Sequence, residues 1–213
     1  MDAFSTEIAE IMGREIDQIA PMTGGCVGEL FRDWLADGQS VVAKTGQPGD
    51  PLDVEGWMLE YLGEHSTLPV PEVYLCRDSL LVMSYIDGED ALFPASEIHA
   101  AEFLEELPTP SLLHGDVWGG NILVHGDHIA GFVDPAIYYG DPEIELSFAT
   151  MFSTFGEGFF RRYGELRPDF FDICRDLYNL WPLLTHALLF GGGYVKGGRN
   201  HPDPAWLLMG RPG

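Results

Sequence analysis

The chain has 213 residues, 46% hydrophobic and 12% aromatic, enough to bury a sizeable core as one large domain or two small lobes, so a disordered chain is excluded. Its 34 acidic residues against 11 basic ones give a formal net charge of −23, a surface that repels nucleic acid and anionic membranes and sets both aside as partners. Only two of the basic residues are lysines, Lys44 and Lys196, and such an acid-rich surface suits a high-salt cytoplasm in which screening relieves self-repulsion.

Asp2, Glu7 and Glu10 stand where a secretory signal would need a basic region and an apolar run, so a cytoplasmic protein is expected. Residues 6–19 place Ile8, Ile11, Met12 and Ile16 at helical spacing, with Ser5 or Thr6 to cap the start. Pro21 and the segment Thr23-Gly24-Gly25-Cys26-Val27-Gly28 follow, then two strand-like runs, Leu30–Leu35 and Ser40–Lys44, joined through the hairpin turn Asp37-Gly38. Val54, Trp57, Met58, Tyr61 and Leu62 form one apolar helical face over 53–64. The prolines of Leu68-Pro-Val-Pro71 close this unit, and strands Glu72–Leu75 and Leu80–Ile86 come next. After Asp87-Gly88 the pattern predicts a helix over 97–107, a short hairpin from Ile122–Val124 to Ile129–Val133 around Gly126-Asp127, and mostly helix over Glu143–Phe155, Phe159–Tyr163 and Phe170–Leu189. The last of these runs is broken by Pro182 and His186 and falls short of a membrane span. Cys26, Cys76 and Cys174 are too few and too far apart for a metal pattern or a disulfide framework.

Chemistry concentrates in His114-Gly-Asp116-Val-Trp118-Gly-Gly-Asn121, with Asp134 thirteen residues beyond Asn121. An acid, an amide five residues later and a second acid after a hairpin are what phosphoryl transfer with magnesium needs. Asp116 would accept the proton of an attacking hydroxyl, and Asn121 and Asp134 would hold Mg²⁺ ions bridging the phosphates of ATP. His114 reads as a hydrogen-bonding residue that orders the loop. Lys44 ends the apolar strand Val41-Val42-Ala43-Lys44, where it can reach nucleotide phosphates, and Glu55 on the next helix can pair with it, with Glu60 as the alternative. The glycines of the 23–28 segment let backbone N–H groups approach phosphate, so Gly24, Gly25, Cys26, Val27 and Gly28 are candidate nucleotide contacts. Cys26 is read as a small loop residue, with a redox-sensitive thiol as the alternative. His125 and His128 straddle a turn and lack further ligands. Strand, glycine loop, strand, strand, helix, strand, strand is the order of a kinase N-terminal lobe, and the break near 86–90 divides the chain into a nucleotide-binding lobe, 1–86, and a catalytic and substrate lobe, 87–213.

The stretches His114–Asn121, Phe132-Val-Asp-Pro-Ala136 and Tyr138-Tyr-Gly-Asp-Pro-Glu143 resemble the fructosamine kinase (ketosamine-3-kinase) family, within the aminoglycoside phosphotransferase and protein-kinase-like group. Trp118-Gly-Gly before the asparagine is the discriminating part, and Leu189-Phe-Gly-Gly-Gly-Tyr194 also looks like the end of fructosamine kinases. The resemblance implies an α+β, bilobal protein-kinase-like fold, with an antiparallel-sheet N-lobe and a mostly helical C-lobe. It implies ATP- and Mg²⁺-dependent phosphorylation of the sugar 3-hydroxyl of small-molecule or protein-bound ketosamines, leading to deglycation. By the same resemblance Asp116 is the base, Asn121 and Asp134 the metal ligands, and Lys44 with Glu55 the phosphate-binding pair. Leu81–Ile86, including Met83 and Tyr85, is the linker strand that holds adenine. Trp118 is either a platform for the sugar or a packing residue. Two features depart from the family. Only 28 residues separate Tyr85 from His114, where relatives carry a helical insertion, and Glu145 stands where an aspartate usually braces the catalytic loop. The alternatives are therefore a hydroxyl kinase of aminoglycoside- or choline-kinase type and a non-catalytic nucleotide-binding protein. A homodimer is left open.

Overall fold

Alternation along five strands builds the N-terminal half. The computed structural model describes residues 3–23, 28–47, 49–105 and 110–190. Strands β1 (Ile16–Met22), β2 (Glu29–Leu35), β3 (Ser40–Thr45), β4 (Val73–Arg77) and β5 (Leu80–Ser84) pair antiparallel in the order β1-β2-β3-β5-β4. Successive side chains of a strand point to opposite faces. Val41, Ala43, Leu80 and Val82 turn one way and bury with Leu35 against Ile8 of helix α1 (Ala3–Met12). Val42, Leu81 and Met83 turn the other way, against Leu52 and Leu59 of helix α2 (Leu52–His65). The sheet is therefore covered on both faces, and the two-residue period puts Lys44 on the α2 side with Val42.

Two expectations are corrected here. The helix expected over 6–19 ends at Met12, because Gly13 takes a positive φ of 64° and stops it in the left-handed conformation that favours glycine. Ile16 instead starts β1, opposite Leu35. Met12 and Ile16 pack on the same core from a helix end and a strand start, which is why their spacing imitates one continuous helix. Helix α2 is present, but its core face is Leu52, Gly56, Leu59 and Leu62, whereas Val54 and Trp57 are exposed. The helix carries apolar side chains on two sides, and only one of them meets the sheet. The expected hairpin is found, with Gly38 at φ +87° and its N–H donating to the Leu35 carbonyl at 2.9 Å.

The C-terminal half adds α3 (Pro94–Glu105), β6 (Ser111–Leu113), the hairpin β7 (Ile122–His125) and β8 (His128–Phe132), and β9 (Tyr138–Gly140), which pairs with β6. Helices α4 (Pro142–Met151), α5 (Glu157–Tyr163), α6 (Arg175–Tyr178) and α7 (Leu180–Phe190) follow, with a π-helical turn at Phe170–Cys174. Strands β6 and β9 were not legible in the sequence, being three residues each. The end of the helix expected over 97–107 lies partly outside the described residues. Leu104, Val117, Ile122, Phe132, Leu146, Phe159 and Phe170 form the core, and Leu62 and Leu68 from the N-terminal half are buried in it. Glu89 and Val124 exchange two backbone bonds of 2.8 Å within this half, and the Phe132 N–H donates to the Pro69 carbonyl at 2.7 Å. The two halves thus share a backbone bond as well as apolar surface. Among the described residues no helix is long and apolar enough to cross a membrane.

Candidate active site

The candidate catalytic loop, His114–Asn121, is held first by backbone geometry. Gly115 has φ +83°, and a Cβ there would stand 2.0 Å from the Ala136 carbonyl oxygen, so only glycine fits. The Ala136 N–H donates to the His114 carbonyl at 2.8 Å, tying the loop to the segment that carries Asp134. Asp134 itself has φ +51°, an unusual backbone state for a residue with a side chain and one that concentrates at functional sites.

Below the loop, α4 begins with Asp141 accepting from the Glu143 N–H at 3.1 Å and Pro142 in its first turn, a favourable helix start. That start directs Glu145 under the loop, where its two carboxylate oxygens accept from the His114 N–H at 3.0 Å and the Gly115 N–H at 2.6 Å. The brace expected from an aspartate is thus made by glutamate. Burial pushes Glu145 up to about 7 against the pull of those two N–H groups, with the charge of Asp116 adding to the rise. His114 is fully buried and burial pushes it down to about 4, so it is neutral, as expected of an ordering residue. Its Nδ1 accepts from the Asp116 N–H over 3.4 Å.

Asn121 donates to the Asp116 carbonyl at 3.0 Å and to its Oδ2 at 2.8 Å, and reaches the Asp134 carbonyl at 3.5 Å. Its amide N–H groups are spent on positioning, which leaves the amide oxygen as the atom able to ligate a cation. Burial raises Asp116 above the usual carboxylate range; the Asn121 bond opposes this and the Asp134 charge assists it. On the other side, the Lys44 ammonium lies 2.9 and 2.8 Å from the two Glu55 oxygens and 2.9 Å from Asp134 Oδ1. Lys44 is 2% exposed; burial lowers its pKa, but Asp134 and Glu55 together outweigh it and the net shift is upward. Glu55 is pushed up to about 7 by burial, with Lys44 pulling it down and Asp134 pushing it up.

Lys44, Glu55, Asp116, Trp118, Asn121 and Asp134 all line one cleft of about 260 Å³, together with Pro51, Val54, Met58, Pro135 and Ala136. Val54 and Met58 explain the second apolar side of α2: they face this cleft. Trp118 stands both at the cleft and in the packing behind it. Its ring lies over Gly120, where a Cβ would come 2.4 Å from Cη2, packs near Phe152 with centroids 5.9 Å apart, and still lines the cleft. Sequence reasoning missed Phe152 and His186, whose rings are 5.5 Å apart behind Trp118; His186 also acts electrostatically on Asp116. An aromatic in a helical run gives no signal of which site it backs.

The nucleotide residues expected farther away are not gathered at this cleft. Met83 is buried between the sheet and α2, and Tyr85 lies under the Arg32 guanidinium, 3.6 Å from the ring centroid. Gly28 has φ +78° and a Cβ would meet the Thr45 carbonyl at 2.2 Å, so it too must be glycine. Gly24, Gly25, Cys26 and Val27 lie outside the described residues, as do residues 191–194 of the C-terminal motif. No group of three or more His, Cys, Asp or Glu residues suited to a metal exists among the described residues. The donors present, an amide oxygen and a carboxylate, are hard oxygen ligands suited to Mg²⁺ that arrives with a nucleotide and keeps waters and phosphates as its other ligands.

Comparison with known proteins agrees with the geometry. The chain is 37% identical over 106 residues to the ketosamine-3-kinase of Mus musculus, a match covering 48% of this chain and 34% of that protein. The chain therefore spans about a third of the length of that relative. Its fold matches a Thermobifida fusca protein assigned as a fructosamine-3-kinase, with a TM-score of 0.77 at 21% identity over 92% of this chain and 96% of the other. It also matches the ADP-bound aminoglycoside phosphotransferase APH(2'')-Ib, with a TM-score of 0.66 at 15% identity over 98% and 95% of the two chains. The fructosamine kinase family model matches residues 94–201, half of the chain and the half that holds Asp116, Asn121 and Asp134: this chain belongs to the fructosamine kinase family.

Proposed function

We propose that this chain is an ATP-dependent kinase that phosphorylates the sugar 3-hydroxyl of ketosamines, free or protein-bound. One observation carries the reading: a buried lysine held by two acids faces, across one cleft, an acid whose carboxylate is positioned by an asparagine. The substrate hydroxyl oxygen forms a bond to the γ-phosphorus, the bond from that phosphorus to the β-phosphate oxygen breaks, and ADP leaves. Asp116 takes the hydroxyl proton, and its raised pKa makes it a stronger base than an exposed carboxylate. Lys44 directs positive charge to the phosphates once nucleotide displaces it from Asp134. Asn121 and Asp134 would hold Mg²⁺ entering with ATP, which would supply positive charge beside the phosphates. Trp118 offers a flat face to the sugar. In the same reading residues 1–86 form the nucleotide-binding lobe and 87–213 the catalytic lobe, with the 24–28 segment over the phosphates and the backbone around Met83 and Tyr85 beside adenine.

A second reading keeps the reaction and changes the acceptor to an aminoglycoside, amino alcohol or other small hydroxyl compound. It is favoured by the short span between Tyr85 and His114, where one 12-residue helix, α3, stands among the described residues. Purified protein with Mg-ATP and a panel of ketoamines, aminoglycosides and amino alcohols, from low to molar salt, tests both. Transfer to ketoamines that falls by about 10²–10⁴ in Asp116→Asn supports the first reading. Transfer only to another panel member supports the second, and nucleotide binding without transfer to any of them rejects both.

A further inference from the structure

The Lys44–Glu55 pair joins the sheet to α2, and a close contact between the two lies beside it. Gly56 is buried on the side of α2 that faces β4 and β5. A Cβ at this position would stand 2.6 Å from Cys76 Sγ, 2.7 Å from Cys76 Cβ and 3.0 Å from Leu81 Cδ1. The first two distances are shorter than real Cβ contacts, and Cys76 belongs to a paired strand that cannot simply retreat. The thiol also fastens the helix from the sheet side, donating to the Asp53 carbonyl at 3.1 Å. Glu55 is the next residue along, with both carboxylate oxygens within 2.9 Å of Lys44. An ammonium–carboxylate contact tolerates only a few tenths of an ångström before it weakens.

We infer that the Gly56–Cys76 contact is the positioning device that seats α2 and thereby brings Glu55 to Lys44. Gly56 and Cys76 touch neither nucleotide nor acceptor in this scheme; they act through Glu55, and the consequence for catalysis rests on the kinase reading above. Glycine in a helix interior is ordinarily a weakness, and alanine there ordinarily strengthens a helix. Here the same change thickens a closed contact, so helix propensity and helix seating pull in opposite directions.

The chain offers an unusually clean readout, because Lys44 and Lys196 are its only lysines. Acylation of Lys44 by a small amine-reactive ester, measured by mass spectrometry relative to Lys196, reports whether the ammonium is still held. Gly56→Ala is expected to raise the Lys44 rate roughly tenfold or more, as overpacking displaces the helix. It should also lower kcat with little change in the acceptor KM. Cys76→Gly in the Gly56→Ala background should return both quantities toward wild type, and Cys76→Ala, which removes Sγ but keeps Cβ, should return them in part. Cys76→Leu thickens the contact from the sheet side without touching the helix and should raise labelling by itself. Wild-type labelling in both Gly56→Ala and Cys76→Leu would overturn the inference, as would raised labelling in Gly56→Ala that neither small residue at 76 reduces. Labelling does not need turnover. A wild-type protein inactive on every acceptor would therefore count against the kinase reading while the labelling series still decides the contact.

Discussion

The two walls of the cleft are held in different ways. The candidate catalytic loop is braced from within its own half of the chain: Asn121 bonds to Asp116 five residues away, and Glu145 of α4 takes the His114 and Gly115 N–H groups. The cation wall spans the molecule, with Lys44 bonded to Asp134 across 90 residues and to Glu55 on a helix whose seat depends on Gly56. Local bracing writes itself into a motif. Long-range bracing is written into packing, where single residues carry it without any recognisable pattern.

The largest effect is expected from removing the charge that joins the walls. Lys44→Met leaves Glu55 and Asp134 facing each other without the ammonium between them. Breaking a buried pair in this way costs about 3–5 kcal/mol, and the 26% exposure of Asp134 places the loss toward the lower end. Phosphoryl transfer should vanish with it. Urea denaturation gives the stability change, and adding Glu55→Gln should recover part of it by removing one of the stranded acids. An equally stable Lys44→Met protein would mean that the two walls are not coupled through this ion.

The local brace should break less severely. Glu145→Gln keeps one oxygen for one N–H but turns an amide donor toward the other, and an unsatisfied buried donor costs about 1–3 kcal/mol. Glu145→Asp keeps the charge and should lose less, since the carboxylate is only drawn back by one methylene. The pH dependence has a definite sign. Glu145 has a folded pKa raised to about 7 from an ordinary value of 4.5, so the unfolded chain gives up this proton first. The contribution is complete below pH about 4.5 and is lost as pH rises through about 7. Wild-type stability relative to Glu145→Gln should therefore decline across that window. A relative rise there would show that the two N–H bonds prevail over burial.

The same contrast explains what the sequence could reveal. Asp116, Asn121 and Asp134 were legible because their chemistry and spacing are fixed by one short loop and one hairpin. Lys44 and Glu55 were legible because a strand-ending lysine followed by a helix is itself a pattern. The core face of α2 was not, because Val54 and Met58 turn to the cleft and dilute the apolar periodicity. The end of α1 was hidden because Met12 and Ile16 share a core from different elements. Gly56 gave no signal in the sequence, since the cysteine that fills its space lies twenty residues later on a strand. His186 and Phe152 were invisible because only tertiary folding brings them behind Trp118.

The smallest effect is expected at Gly120, and it tests whether the local wall also sets the acceptor. The Trp118 ring lies over this glycine, with Cη2, Cζ2 and Cζ3 at 2.4, 2.6 and 2.8 Å from where a Cβ would be. Gly120→Ala must therefore lift the indole, while the hydrogen bonds of Asn121 to Asp116 depend on the neighbouring residue and can persist. If the ring is the platform for the sugar, the acceptor KM should rise roughly fivefold to tenfold, the loss of about 1 kcal/mol of contact. The ATP KM and the melting temperature should change little. Steady-state kinetics with each substrate varied in turn, alongside Trp118→Phe, separates the two roles of the ring. A fall in stability without any rise in acceptor KM would make Trp118 a packing residue against Phe152, and the acceptor would then have to be held by the Val54 and Met58 side of the cleft, on the wall that α2 controls.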